Sequence, residues 1–443
     1  MAHVTHAEPL TALAATRDIR ARFKSGSSML LMVVLAILAI GGLVALVMKI
    51  MGGPLPYTKW AYPAVTLAFI ASTAQAAPML AFATRLAKGY WALPIRRVAE
   101  LGALSGLVTT PLFIILLRQI PEFAPYSVTH RPSIWFDWPG APQIYDASMM
   151  ILLTITGIML VYFSSRPDRA ILNGTAGKNW FGTGRQWEVT SLGVLMLGAF
   201  YLMVYTFVHL YIVSDLGISL VPGWRSAIFP PYHAISGLQA GLATTLLVGG
   251  ALRRFGGLGR YIGLDVFWGA SKLLIGLSLL FFYFTWSELI TNWYGRTPDE
   301  VFLLDLFMFG PYMALFILSF CMNFVIPIAM LIWNPVRKSI WGPIAVAAII
   351  FFGNLIDRIR IYAASWSIPN LQTEHLLLAP PALWPDLMDL LVLVGGVSAV
   401  GLIYLIALRF VPAIALWEYK TGLLLRDEQP FLKTEVAVVA KPR

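Results

Sequence analysis

Ionisable side chains are scarce in the long apolar stretches of this sequence, and those that occur stand at corresponding places. Arg118 and Glu122 close one apolar stretch and Asp146 opens the next. His209 closes another, His233 opens its successor, Glu288 closes a further one, and Asp357 with Arg358 stands near the end of another. A charge held in hydrocarbon costs about 3 kcal/mol or more, so each of these residues is a functional candidate. A carboxylate can take up a proton, an imidazole can pass one on, and a guanidinium can hold a carboxylate or steady developing charge. Gathered at the edge of a pocket lined by apolar helix faces, such groups suit a lipophilic ligand with a polar reacting head, of which a quinone is the obvious example. For any one of them the alternative is a helix-end charge that snorkels and pairs at an interface.

A second, sparser set comprises Glu100, Asp265 and Lys272. Asp265 and Lys272 stand seven residues apart, so they share a helix face two turns apart. A buried ion-pair network and part of a proton route are both open readings. His3, His6, His130 and His375 fall in tails or loops, which leaves His209 and His233 as the histidines within apolar stretches. They could serve as axial ligands of a haem b, or as hydrogen-bonding and proton-handling groups. Cys321 is the single cysteine, so the chain offers no disulfide, no CxxCH haem attachment and no thiolate set for an iron-sulfur cluster. No divalent-metal ligand set is evident. If the chain moves electrons, a partner must take them.

The elements that position these groups follow from composition. Of 443 residues, 58% are hydrophobic and 12% charged, about half the charged share of a soluble domain. The sequence therefore reads as an all-α polytopic membrane protein, with spans expected near 29–51, 61–84, 98–117, 145–163, 190–212, 231–252, 264–288, 305–332, 342–362 and 387–408. Residues 1–28 and 411–443 are read as tails, and 29–410 as one membrane domain. Pro63, Pro111, Pro311 and Pro327 fall within spans and predict kinks. The loops on one side, with both tails, hold 22 of the 32 lysines and arginines, Arg85, Arg96 and Arg97 among them. The opposite loops hold only Lys59, Arg131, Arg225 and Arg296, which places both termini in the cytoplasm and the first set of ionisable groups toward the outer face. The net charge of +10 is then topological and gives no ground for nucleic-acid binding. The run after Arg17, Arg20, Arg22 and Lys24 is too long for a signal-peptide core and reads as a retained first helix. Trp60, Trp135, Trp138, Trp224, Trp293, Trp366 and Trp384 fall at expected outer interfaces, where an aromatic belt is the natural reading.

Several segments resemble the quinone-interacting membrane subunits of the NrfD/PsrC family, most closely the large quinol-oxidising subunit of bacterial alternative complex III. They are RRVAE at 96–100, QIYDASMMILL at 143–153, AIFPPYHAISGLQAG at 227–241, GLDVFWGASKLLIGLSLLFFYFTWSELITNWYG at 263–295 and NLIDRIRIYAAS at 354–365. The resemblance implies two four-helix bundles, spans 2 to 5 and 6 to 9, with flanking helices. A faint repeat agrees, since Glu100 to Glu122 is 22 residues and Asp265 to Glu288 is 23. It further implies quinone or quinol, menaquinone or ubiquinone, bound near the outer face, no haem or iron-sulfur cluster in the chain itself, and electrons passed to a periplasmic iron-sulfur subunit. Other membrane subunits, a second NrfD-like chain among them, and a multihaem cytochrome c are the further partners implied.

By this resemblance Asp146 matches the acid opening span 4, Glu288 the acid before WYG, Asp265 and Lys272 the polar pair of span 7, and Arg358 the arginine of an acid-arginine pair. Two departures stand out. Relatives tend to show His-Leu-Gly-Arg-Pro after span 3 where this chain reads Leu117-Arg118-Gln119-Ile120-Pro121, and His233 follows FPPY where an apolar residue is usual. Either the histidine has moved from span 3 to span 6, or the quinone site is altered or silent. The rival readings are a secondary transporter, a haem b anchor and a scaffold subunit.

Overall fold

The computed structural model describes residues 29–120, 142–172, 178, 180–368, 378–424, 426–431 and 434–439. Glu122, His3, His6, His130, His375, Arg131, Trp135, Trp138 and the basic residues Arg17 to Lys24 lie outside the described residues. The chain begins with α1 (Met29–Met51), α2 (Ala61–Ser72), α3 (Pro78–Leu86), α4 (Leu93–Leu101) and α5 (Gly106–Leu117). The long helices α6 (Pro142–Leu172), α7 (Gly184–Leu216), α8 (Phe229–Arg254) and α9 (Leu264–Gly295) follow. Shorter pieces come next: α10 (Pro298–Leu304), α11 (Met313–Phe320), α12 (Ile326–Leu331) and α13 (Asn334–Arg337). The chain then forms α14 (Trp341–Arg358), α15 (Ala364–Trp366), α16 (Leu387–Ala407) and α17 (Leu416–Leu424). A hairpin of β1 (Arg426–Phe431) and β2 (Thr434–Val439) pairs antiparallel from Arg426 opposite Val439 to Phe431 opposite Thr434.

Among the described residues, eight helical stretches are long and apolar enough to cross a membrane, and they coincide with eight of the expected spans. Large apolar side chains cover the outer surface, as on α1, where Leu30, Ile37 and Ile40 are exposed. Such a surface suits lipid and not water. The expected spans at 61–84 and 342–362 are not among the eight. The first is interrupted at 73–77 into helices of 12 and 9 residues, with Pro78 at the start of α3 lacking an amide to continue the ladder. The second gives way after Arg358 to a π turn, Ile359–Ala363, that carries another arginine.

Small residues set the closest approaches. An added Cβ on Gly42 of α1 would lie 2.6 Å from Cα of Gly395 on α16, so these two helices meet backbone to backbone. Lys49, near the end of α1, ion-pairs with Asp389 at 2.9 Å. Asp389 also closes a capping box with Asp386 at the start of α16, each side chain accepting the other's backbone N–H. In the interior, Gly241 of α8 faces the interruption in span 2, where an added Cβ would lie 2.8 Å from Ala76. The freed carbonyl of Gln75 accepts a hydrogen bond from Tyr201 at 2.7 Å, and the Gln75 side chain accepts one from Thr109 at 2.9 Å. Neighbouring helices thus satisfy the backbone that the break releases.

The tryptophan expectation needs correction. Trp60, Trp224 and Trp366 are buried in the core, where Trp60 donates to the Pro54 carbonyl and Trp366 to that of Leu216, whereas Trp293 and Trp384 are exposed. An indole whose N–H finds a carbonyl can be buried as fully as a phenylalanine.

Candidate functional site

The interruption after Ser72, the first turns of α8 and the π turn after α14 converge on one buried network. Arg358 is its hub. Its Nε donates to Ser72 Oγ at 3.0 Å, one terminal nitrogen donates to Ser236 Oγ at 2.7 Å and to the His233 carbonyl at 3.2 Å, and the other lies 3.3 Å from Asp357 Oδ2. Asp357 Oδ1 also accepts from Tyr232 and from Arg360, both at 2.8 Å. Arg360 reaches on to the Phe307 carbonyl at 3.3 Å. The π turn, with its wider ring, keeps Arg360, Ile361, Tyr362 and Ala363 all buried. All the carboxylate and guanidinium groups here are withdrawn from solvent, and each is held by charge-assisted hydrogen bonds.

Beside this hub runs a line of three side chains. His209 Nδ1 and His233 Nδ1 are 2.8 Å apart, and His233 Nε2 lies 2.9 Å from the Tyr362 hydroxyl. Neutral imidazole has one donor and one acceptor nitrogen, so the line has two self-consistent arrangements. Either Tyr362 donates to His233 and His233 to His209, or His209 donates to His233 and His233 to Tyr362. The two differ by displacement of protons along the same line, which equips it to hand a proton through apolar surroundings. Gly237 makes the approach possible, because an added Cβ there would lie 3.2 Å from His209 Cε1.

Four expected site residues, His233, Asp357, Arg358 and Glu288, fall in or against this network. Glu288 accepts from Ser226 at 2.6 Å and from Asn292 at 3.4 Å, and it lines a cavity of about 30 Å³ together with Tyr232 and Arg360. That volume has room for roughly one or two waters. Asp146 is buried apart from the network, side chain to side chain with Asp215 at the end of α7, a partner that sequence reasoning missed. Arg118 is exposed at the end of α5 and takes no part. The expectation of one pocket gathering all these residues is thus corrected: the described ones divide into the network with Glu288, the aspartate pair, and a solitary surface arginine.

Glu100 belongs to a separate buried cluster at the other end of α4 and α6. It pairs with Arg85, with Arg97 Nε at 3.1 Å, and accepts from Ser164 at 2.7 Å. Asp168 takes Arg97 at 3.2 Å and the Trp417 backbone N–H at 3.1 Å, while Glu418 takes Arg85 at 2.8 Å and Arg96 at 3.6 Å. Three guanidinium groups meet three carboxylates, so the cluster is balanced and α17 closes it. The reading of Arg85, Arg96 and Arg97 as loop charges is corrected: all three lie in helices and ion pairs, with Arg96 and Arg97 buried and Arg85 half-buried. Asp265 and Lys272 do not join Glu100. Both are exposed on α9, and Lys272 rests on the Trp268 ring at 3.9 Å.

A haem b does not fit between His209 and His233. Two axial imidazoles each about 2 Å from a metal stand about 4 Å apart with the macrocycle between them, whereas these nitrogens are 2.8 Å apart and hydrogen bonded. Among the described residues no group of three or more histidine, cysteine or acidic side chains could hold a metal ion. Fold and site together define a multi-pass helical protein with an apolar surface and a buried, hydrogen-bonded ionisable interior. No protein-family model matches the chain, and no curated protein matches it.

Proposed function

We propose that the chain is an NrfD/PsrC-like membrane subunit of a respiratory or photosynthetic electron-transfer complex in a bacterial cytoplasmic membrane. It binds quinol near the periplasmic face and delivers the electrons to an iron-sulfur partner. Oxidation of a quinol to a quinone releases two electrons and two protons. The electrons leave for the partner's cluster, and the protons pass to Glu288 and to the His233–His209 line. The observation that carries this reading is that line itself, packed against Arg358, Asp357 and Arg360 in the apolar interior. Helix packing supports the two-bundle arrangement, since α2 and α3 with α5, α6 and α7 form one set of neighbours and α8, α9, α12 and α14 another, with α1 and α16 paired outside. The ten spans of this reading count the interrupted 61–84 segment and α14 with its π turn as crossings, with both termini cytoplasmic.

The test is purification from native membrane with identification of co-purifying subunits and extraction of bound quinone. An iron-sulfur subunit and stoichiometric quinone are expected, and absence of any redox partner contradicts the proposal. A second reading, a scaffold whose quinone site is silent, is favoured by the small size of the cavity beside Glu288. It predicts a full complex that retains turnover when Glu288 is replaced by Gln.

A further inference from the structure

A larger cavity than the one beside Glu288 lies elsewhere. A slot of about 660 Å³ opens at the far end of α8 from His233, between the α1–α16 pair and the rest of the molecule. Its walls are hydrocarbon in effect. The hydroxyls that line it, those of Thr73, Ser105, Thr244, Thr245 and Tyr404, each donate to a backbone carbonyl and offer a ligand little. Among the described residues the lining contains no aspartate or glutamate and one cation, Arg409, where α16 ends. Phe255 also lines it and is 84% exposed, with the Arg254 guanidinium over its ring at 5.5 Å. An exposed aromatic beside arginines is the arrangement expected where hydrocarbon meets lipid headgroups.

The geometry points to an anionic glycerophospholipid as the occupant, and we propose that one acyl chain fills the slot while the phosphate rests between Arg409 and Arg254. The volume falls in the range of ligand pockets that enclose most of a lipophilic molecule, roughly 300–1,000 Å³. Arginine recognises phosphate by charge and by paired N–H donors. Charge complementarity selects phosphatidylglycerol over a zwitterionic lipid of the same chains, and a neutral isoprenoid has no use for the cations. A lipid here joins the peripheral α1–α16 pair to the remainder of the protein.

The experiment uses the full chain, delipidated in neutral detergent and titrated with phosphatidylglycerol or phosphatidylcholine of identical chains, read by native mass spectrometry and thermal midpoint. One tightly held phosphatidylglycerol and a raised midpoint are expected, with phosphatidylcholine at least fivefold weaker, as about one headgroup contact per arginine implies. Arg409→Gln should reduce the preference for phosphatidylglycerol, and Arg409→Gln with Arg254→Gln should bring the two lipids to within twofold of each other. Val400→Trp, which obstructs the slot, should weaken binding of both lipids, and Ala251→Phe at the mouth serves if that variant fails to fold. Equal affinity for the two lipids in the parent protein, unchanged selectivity in Arg409→Gln with Arg254→Gln, or bound quinone that Val400→Trp displaces would each overturn the assignment.

Discussion

At the scale of residues, the network divides by how costly each group is to bury. His233, Asp357, Arg358 and Glu288 stand out in the sequence because charge and imidazole are rare in apolar stretches. Ser72, Tyr232 and Tyr362 do not, because a serine hydroxyl in a helix can satisfy itself on the preceding turn and a tyrosine is a largely apolar side chain at home in any span or interface, so neither carries a signal. Arg360 is not singled out either, and the π turn brings it inward to Asp357. Since Arg358 donates to a serine on each of α2 and α8 and pairs with Asp357, Arg358→Ala should destabilise the protein by about 3–5 kcal/mol, measured by denaturation in detergent. Arg358→Lys should recover less than half of that, because an ammonium cannot reproduce the planar fork. Tyr362→Phe tests the proton line more gently. It removes one partner of His233 and keeps the ring packing, so stability should fall by about 1 kcal/mol while any proton-linked turnover falls far more.

Elements were legible where hydrophobic length alone decides. The expected span 29–51 coincides with α1, and the long helices α6 to α9 run beyond their expected ends because polar first and last turns continue a helix outside the apolar run. The interruption at 73–77 was not legible, since Ser72-Thr73-Ala74-Gln75-Ala76-Ala77 has no strong breaker before Pro78, and its stability comes from Tyr201 and Thr109 on other helices. Gly237→Ala tests the α7–α8 approach. The new methyl meets the Tyr205 hydroxyl and His209, so a loss of about 1–3 kcal/mol is expected, together with altered histidine NMR signals. The α1–α16 contact has a pH dependence. Burial acts against the Asp386 carboxylate, but the Asp389 backbone N–H and the Lys49 charge outweigh it and hold its pKa below the ordinary value. Its contribution is therefore present at neutral pH and lost only as pH falls through that lowered value. Acid titration should loosen α1 below the ordinary aspartate range, and Asp386→Asn should remove that step.

At the scale of the whole molecule, charge placement separates two ends. The Arg85–Glu100–Glu418 cluster is balanced and closed by α17, while the His233 network has an unequal set, two guanidinium groups to one carboxylate, with Glu288 across a small cavity. The first suits a rigid seal and the second a group whose charge changes. Lysine and arginine counts suggested an orientation, yet three of the counted arginines are held in ion pairs, two of them buried and Arg85 partly so, so the count measured structure as well as topology. The most direct measurement is quinol oxidation by the complex purified from native membrane, comparing the parent chain with His233→Ala at matched thermal stability. The account predicts a loss of at least tenfold in turnover with retained subunit composition, and turnover and quinone affinity both unchanged would contradict it.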